Sequence, residues 1–282
     1  MPRLRPIADR VWTLRLDWYD VNVTVVAGTR GVLVVDAHGS LPAGRALVET
    51  LAAEAGADPV ALVLTHAHFD HSFGASAFLE RWPGLAVLAH EAAAQELLDG
   101  TERVRRELAA SPDPRDREAA EAPPVGPTDT FSSVRVVDLG DRSVELLHPG
   151  PGHTGGDLLV RVPDADVVVA GDLVEESGPP SYGPDSHPLA WPVALDFALG
   201  LMTEETVVVP GHGATVDRSF VLDQRGQLGG VAETIRDLVG RGVPLEQAVG
   251  AAEWPLPVDA VGPAVARGYE QLPRSRRQLP LI

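Results

Sequence analysis

The chain has 282 residues, 44% of them hydrophobic, enough to bury a substantial core as one domain or a domain with an appendage. Its net charge of −17 repels a phosphate backbone and sets nucleic acid aside as a substrate, and no apolar run reaches the ~20 residues that span a bilayer. There is no cysteine and every basic residue is arginine, which excludes disulfides, thiolate nucleophiles, cysteine-ligated metals, Schiff-base lysines and a P-loop lysine. No apolar h-region follows Met1-Pro2-Arg3-Leu4-Arg5-Pro6, so the expected compartment is the cytoplasm.

Residues 11–16, 21–27 and 31–36 alternate or run apolar and predict three strands, with Gly28-Thr29-Arg30-Gly31 as a hairpin turn. A helix is predicted over 41–55, closed by Gly56. Val60-Ala61-Leu62-Val63-Leu64 reads as a buried strand that delivers Thr65-His66-Ala67-His68-Phe69-Asp70-His71 to the edge of a core. A short helix over 75–81, a strand over 85–89 and a helix over 91–108 follow. Residues 109–129 break the pattern: Ser111-Pro112-Asp113-Pro114 and Ala122-Pro123-Pro124-Val125-Gly126-Pro127 predict an exposed, charged, proline-rich connection. The second half predicts strands over 134–138, 143–147, 157–162 and 167–170, a helix over 189–201, a strand over 206–209 and mostly helix from Ser219 onward. Strand runs capped by helices, occurring twice, suggest two sheets face to face with helices outside.

Imidazole and carboxylate are the side chains that hold borderline dications such as zinc, and the 66–71 cluster concentrates them at the end of a buried strand. Three later turns each add a further ligand type beside glycine. His153 lies in Pro149-Gly150-Pro151-Gly152-His153-Thr154-Gly155-Gly156, Asp172 follows Gly171, and His212 lies in Pro210-Gly211-His212-Gly213. Glycine there lets backbone and metal approach without a Cβ in the way.

With Asp36, His66-Ala67-His68-Phe69-Asp70-His71, His153, Asp172 and His212 in this order, the chain closely resembles the metallo-β-lactamase-fold hydrolases over roughly residues 10–217. The resemblance implies an α+β fold, a four-layer αββα sandwich with the site at one edge between the halves. The expected organisation is a catalytic domain over 1–217, with 109–129 exposed, and a helical C-terminal extension over 218–282 packed on the same domain. The resemblance further implies that His66, His68 and His153 hold one metal and that Asp70, His71 and His212 hold a second. It makes Asp172 the carboxylate that bridges both, with Asp36 supporting the ligands from behind. The implied cofactor is two Zn2+ per chain, iron or manganese being alternatives.

With that ligand set, two dications against two carboxylates and a bridging hydroxide leave the site a charge of about +1, which attracts an oxyanion. A water shared by metals ~3.5–4 Å apart is acidified from a pKa of about 15.7 toward about 7, and the resulting hydroxide attacks an ester, thioester, lactone or β-lactam carbonyl. Asp70 is also the candidate proton shuttle to the leaving group. The predicted function is a metal-dependent hydrolase of small molecules. The Pro-Gly-His-Thr-Gly-Gly stretch is similar to glyoxalase II-type enzymes, and Asp172 stands where several true β-lactamases have cysteine or serine. A mononuclear-iron persulfide dioxygenase, which shares the ligand types, is the alternative. A nuclease of the same fold is a third reading that the −17 charge disfavours.

Tyr182 and His187 lie in the loop after Asp172, expected to overhang the metals, and are the candidate substrate contacts. Phe69 and Phe73 are expected to pack around the cluster, Trp191 to anchor the core, and His90 and His148 to pack or cap, while His38, two residues after Asp36, lies close to the site edge. Arg274, Arg276 and Arg277 read as a solvated face, with glutathione binding as the sharper alternative. The expected partner is a small-molecule substrate, without nucleic acid or membrane. The oligomeric state stays open, a homodimer being one alternative.

Overall fold

A computed structural model describes residues 3–272, so the arginines at 274–277 lie outside the described residues. The first sheet begins with β1 (Arg5–Ala8), β2 (Val11–Leu16), β3 (Val21–Gly28) and β4 (Gly31–Val35), paired antiparallel in succession. Ser40, whose side chain accepts from Ala43 N–H, caps α1 (Leu41–Glu54), which crosses over to β5 (Pro59–Val63), parallel to β4. One helical turn, α2 (Phe69–Ser72), and α3 (Ala75–Arg81) lead to β6 (Ala86–His90); α4 (Glu91–Ala109) and α5 (Pro114–Ala119) then lead to β7 (Asp129–Phe131). β5, β6 and β7 run parallel.

The second sheet is the antiparallel series β8 (Val134–Asp138), β9 (Ser143–Leu147), β10 (Leu159–Val162) and β11 (Val167–Glu175). α6 (Trp191–Leu199) returns the chain to β12 (Val207–His212), parallel to β11, before α7 (Arg218–Gly240), α8 (Leu245–Ala248) and α9 (Val258–Gln271). The two sheets join where His212, the last residue of β12, pairs with Val21, the first of β3.

Alternation along the strands accounts for the layers. In β4, Leu33 and Val35 face the second sheet, against Val160, Val167 and Val209, while Val32 and Val34 pack outward on Leu47 and Leu51 of α1 and Phe78 of α3. In β11, Val167 and Val169 face inward, and Val168 and Ala170 pack with Trp191 of α6, Leu228 and Ile235 of α7 and Val265 of α9. Three apolar layers separated by two sheets make the αββα sandwich that the resemblance implied. Among the described residues no helix is long and apolar enough to cross a membrane.

Two sequence expectations are corrected. Residues 109–129 are not simply an exposed loop: Pro114 opens α5 in its first turn, Asp113 caps it by accepting from Arg115 N–H, and β7 adds an edge strand. Ala119, Ala120 and Ala122 are buried with Trp18, Phe73 and Leu108. Composition misleads here because prolines at a helix start do not break it, and alanines scattered among charges leave little periodic signal. β11 also continues beyond Ala170 to Glu175, with register shifts on either side of Gly171, so Asp172 sits inside an irregular strand rather than after one.

Candidate metal centre

Five imidazoles and two carboxylates converge at the seam between the sheets. β5 delivers His66 and His68, α2 presents Asp70 and His71, the β9–β10 connection brings His153, and β11 and β12 bring Asp172 and His212. The close approach of these elements depends on two glycines. Gly171 takes a left-handed φ of 51°, and a Cβ there would strike Thr65; a Cβ on Gly211 would collide with Asp172 Oδ1.

Asp172 lies at the centre. Its Oδ2 is 3.2 Å from His212 Nε2, 3.4 Å from His153 Nε2 and 3.7 Å from His66 Nε2, and its Oδ1 is 3.1 Å from His71 Nε2. Asp70 Oδ2 is 3.4 Å from His212 Nε2 and 3.7 Å from His71 Nε2. The donors fall into two adjoining groups, His66, His68, His153 and Asp172 in one and Asp70, His71 and His212 in the other, with ligand atoms within 4.8 Å of one another in each.

Every histidine turns one ring nitrogen outward to an acceptor. His66 Nδ1 meets Thr65 Oγ at 3.0 Å, and that hydroxyl donates to Asp36 at 2.9 Å. His71 Nδ1–H donates to Asp36 Oδ2 at 2.9 Å, and His68 Nε2–H to Asp185 Oδ2 at 2.8 Å. His153 Nδ1 donates to the Ser181 carbonyl at 3.1 Å, and His212 Nδ1 to that of Tyr19 at 2.6 Å. These acceptors assign the tautomers and leave the five other nitrogens facing inward as lone pairs. There they confront one another: His68 Nδ1 is 2.9 Å from His153 Nε2, and His71 Nε2 is 3.3 Å from His212 Nε2. His66 Nε2 and Asp172 Oδ1 are buried without a hydrogen-bond partner. Lone pairs aimed at lone pairs around a buried carboxylate are satisfied by cations at their focus.

The electrostatics carry the same demand for positive charge. Burial lowers the pKa of all five rings, and in His66 and His153 it prevails, His153 falling to about 4. In His71 burial is outweighed by Asp172, Asp70 and Asp36, which hold it well above its ordinary value. His68 rises to about 9, burial being overcome by the hydrogen bond and charge of Asp185 and by Asp70 and Asp172; His212 rises to about 9 through Asp172. Burial would raise Asp172, but the surrounding imidazoles hold it well below the usual carboxylate range.

The seven expected ligands are thus brought together, with Asp36 behind them, accepting from Thr65 N–H at 2.8 Å as well as from the Thr65 hydroxyl and His71. Tyr182 and His187, the candidate substrate contacts, lie back from the mouth. Tyr182 is buried with its ring 5.2 Å from Trp191, and His187 turns its Nδ1 toward Gln271 of α9; neither lines the mouth of the site. Both are drawn off by the core beneath α6 and α9. The loop reaches the site through Ser177, Gly178, Pro179 and Ser181 at the mouth and through Asp185 behind His68. Asp185 was not anticipated: a single aspartate in a loop has no periodicity to mark it. Nor was Glu96, which burial and the neighbouring Asp185 raise to about 8. His38 stacks on Trp18 at 5.3 Å, and His90 caps α4 and stacks on His148 at 3.9 Å, as packing and capping residues.

Residues 16–212 match the metallo-beta-lactamase superfamily. The chain belongs to that superfamily. Among curated relatives of this metallo-beta-lactamase superfamily member, an acyl-coenzyme A thioesterase MBLAC2 of Gallus gallus is 31% identical over 228 residues, covering 74% of this chain and 79% of the relative. A metallo-beta-lactamase type 2 of Bacillus sp. (strain 170) is 25% identical over 203 residues, 71% of this chain and 70% of the relative. Among solved structures, a metallo-beta-lactamase from Pontibacter korlensis superposes with a TM-score of 0.66 at 20% identity, covering 81% of this chain and 99% of that one, a likeness of fold. As a member of this superfamily the protein is a metal-dependent hydrolase.

Proposed function

We propose that the protein is a zinc-dependent hydrolase of small acyl compounds (thioesters, esters or lactones) that works through a two-metal centre. His66, His68, His153 and Asp172 would hold one ion, and Asp70, His71, His212 and the second oxygen of Asp172 the other. The observation that carries this reading is the inward focus of five imidazole lone pairs whose outer N–H groups are each held by an acceptor. Nitrogen and carboxylate donors without sulfur suit zinc, and the thioesterase named among the relatives favours an acyl substrate.

When bound, the two ions supply an acidified water and Lewis acidity toward a carbonyl oxygen. The chain supplies the rest. Asp36 and Thr65 fix His66 and His71, and Asp185 fixes His68, so the ligands need no reorganisation. Asp70, at the mouth, is placed to receive a proton from the attacking water and return it to the departing sulfur or oxygen. In the balanced reaction water adds to the acyl carbon, the C–S or C–O bond breaks, the acid keeps the water oxygen, and one water hydrogen ends on the leaving thiol or alcohol. The mouth, a cavity of about 330 Å³ bordered by Tyr19, Glu175, Ser177 and Ser181, admits the polar part of such a substrate.

The test is metal analysis of protein purified without added metal, together with hydrolysis of a lactone, a thioester and a cephalosporin by the wild type and by Asp172→Ala. Two zinc ions per chain and hydrolysis of a thioester or lactone are expected. Asp172→Ala should lose at least one ion and most turnover. One iron per chain with oxygen uptake and no hydrolysis would overturn the proposal.

A further inference from the structure

A second cavity, of about 380 Å³, lies beside the metal centre, between α4, the turn carrying Ala67–Asp70, and residues 183–185. Its walls are mostly apolar, with Ala67, Phe69 and Phe73 on one side and Leu97, Val104 and Leu108 of α4 on the other, and Glu96, Thr101 and Asp185 add polar groups to the lining. Its inner end is formed by His68 and Asp70, which also border the polar mouth, so the two cavities share the ligand edge. The ordered segment after α4 closes the far side, with Ser111 and Asp116 at the lining and the alanines behind α5 packed on Phe73 and Leu108.

We infer that this cleft is the acyl-chain subsite, and that the enzyme selects medium-chain acyl substrates whose unbranched tail lies against α4 while the polar leaving group occupies the open mouth. The inference rests on the proposed hydrolase reading and names its substrate class. The direction follows from the chemistry of the two cavities. The reacting carbonyl must sit at the ligand edge they share, and an alkyl tail gains from an apolar wall, whereas the mouth is bordered by Asp70, Asp172, Glu175 and Ser177. The size agrees: about 380 Å³ lies at the lower end of the range for small-molecule sites, room for a tail of limited length while the head group stays in the mouth. The rim also suits it. Arg103 and Glu107 of α4 pair with each other at 3.2 Å, Asp116 accepts from Tyr19 and Ser111, and Asp185 from His68, so these charged groups of the lining are engaged with protein partners.

Two measurements on the zinc-loaded full-length protein test this. Straight-chain alkanoates from acetate to decanoate, bound as product analogues, are titrated by calorimetry, and thioesters of one constant thiol with the same acyl series are assayed for hydrolysis. Affinity and kcat/KM should each rise about fourfold per added methylene until the cleft is full. Val104→Trp, which fills the cleft, should reduce the decanoate-to-butyrate affinity ratio at least about tenfold. Leu98→Trp, on the solvent face of the same helix at 73% exposure, should leave that ratio unchanged. Wild-type affinities that do not depend on chain length overturn the subsite whatever the variants do, as does a ratio that Val104→Trp does not alter. Chain-dependent alkanoate binding without hydrolysis of any acyl compound would leave the subsite standing and remove the hydrolase reading. Hydrolysis indifferent to chain length would do the reverse.

Discussion

His68 donates its Nε2–H to Asp185 across 2.8 Å, from a loop 117 positions further along the chain. This bond decides the tautomer of His68 and therefore which nitrogen faces His153 and the metal centre. Asp185→Asn keeps the acceptor oxygen but removes the charge that raises His68, and Asp185→Ala removes both. Zinc affinity, measured by competition with a chromophoric chelator, should fall about 10-fold in the first and toward 100-fold in the second. Wild-type affinity in both variants would refute a positioning role.

The inward lone pairs make metal a structural element as well as a catalytic one. Zinc at a hundred times its dissociation constant stabilises by about 2.7 kcal/mol. Chelation should therefore lower the thermal midpoint by roughly 5 °C for a chain of this size. Identical midpoints with and without chelator would count against cations at this focus.

Asp157 offers a pH test. It is buried, accepts from Thr154 N–H and Oγ, and burial raises it from 3.8 to about 7. A raised carboxyl pKa means the folded chain holds a proton that the unfolded chain has released. This stability is complete below the unfolded value and is lost as pH rises through the folded one, at up to roughly 1.4 kcal/mol per unit. Asp157→Asn mimics the protonated form, so in metal-free protein the variant should gain on the wild type between about pH 4 and about pH 7. Urea midpoints whose difference does not change with pH would exclude the effect.

Gly211 tests the closeness of β12 to β11. In Gly211→Ala the new Cβ competes for the position of Asp172 Oδ1, so the strand must shift or Asp172 must turn away. A loss of about 1–3 kcal/mol in metal-free stability is expected, with reduced zinc content. Both quantities at wild-type levels would show that the seam has room to spare.

The αββα architecture and the ligand types could be read from residue order because their signals are local. Strand alternation in 31–35 and 60–64 needs only neighbouring residues. His66, His68, Asp70 and His71 announce themselves because one turn after one strand carries all four, and α2 simply closes that turn around them. The glycines flanking Asp172 and His212 mark a close approach whose partner is elsewhere, and there the local signal ends.

What chain folding alone decides is everything that depends on a partner distant in sequence. The Tyr19 carbonyl that orients His212, the Ser181 carbonyl that orients His153 and Asp185 behind His68 are ordinary loop residues until the sheets pack. The same holds for 109–129, where buried alanines become a wall only once Phe73 and Leu108 stand opposite. Tyr182 has its place set by Trp191, and the core claims it for its apolar ring. Residue types and their order along the chain marked which side chains could hold a metal. The orientation of those atoms, and the apolar cleft beside them, come from contacts between elements and exist only in the packed molecule.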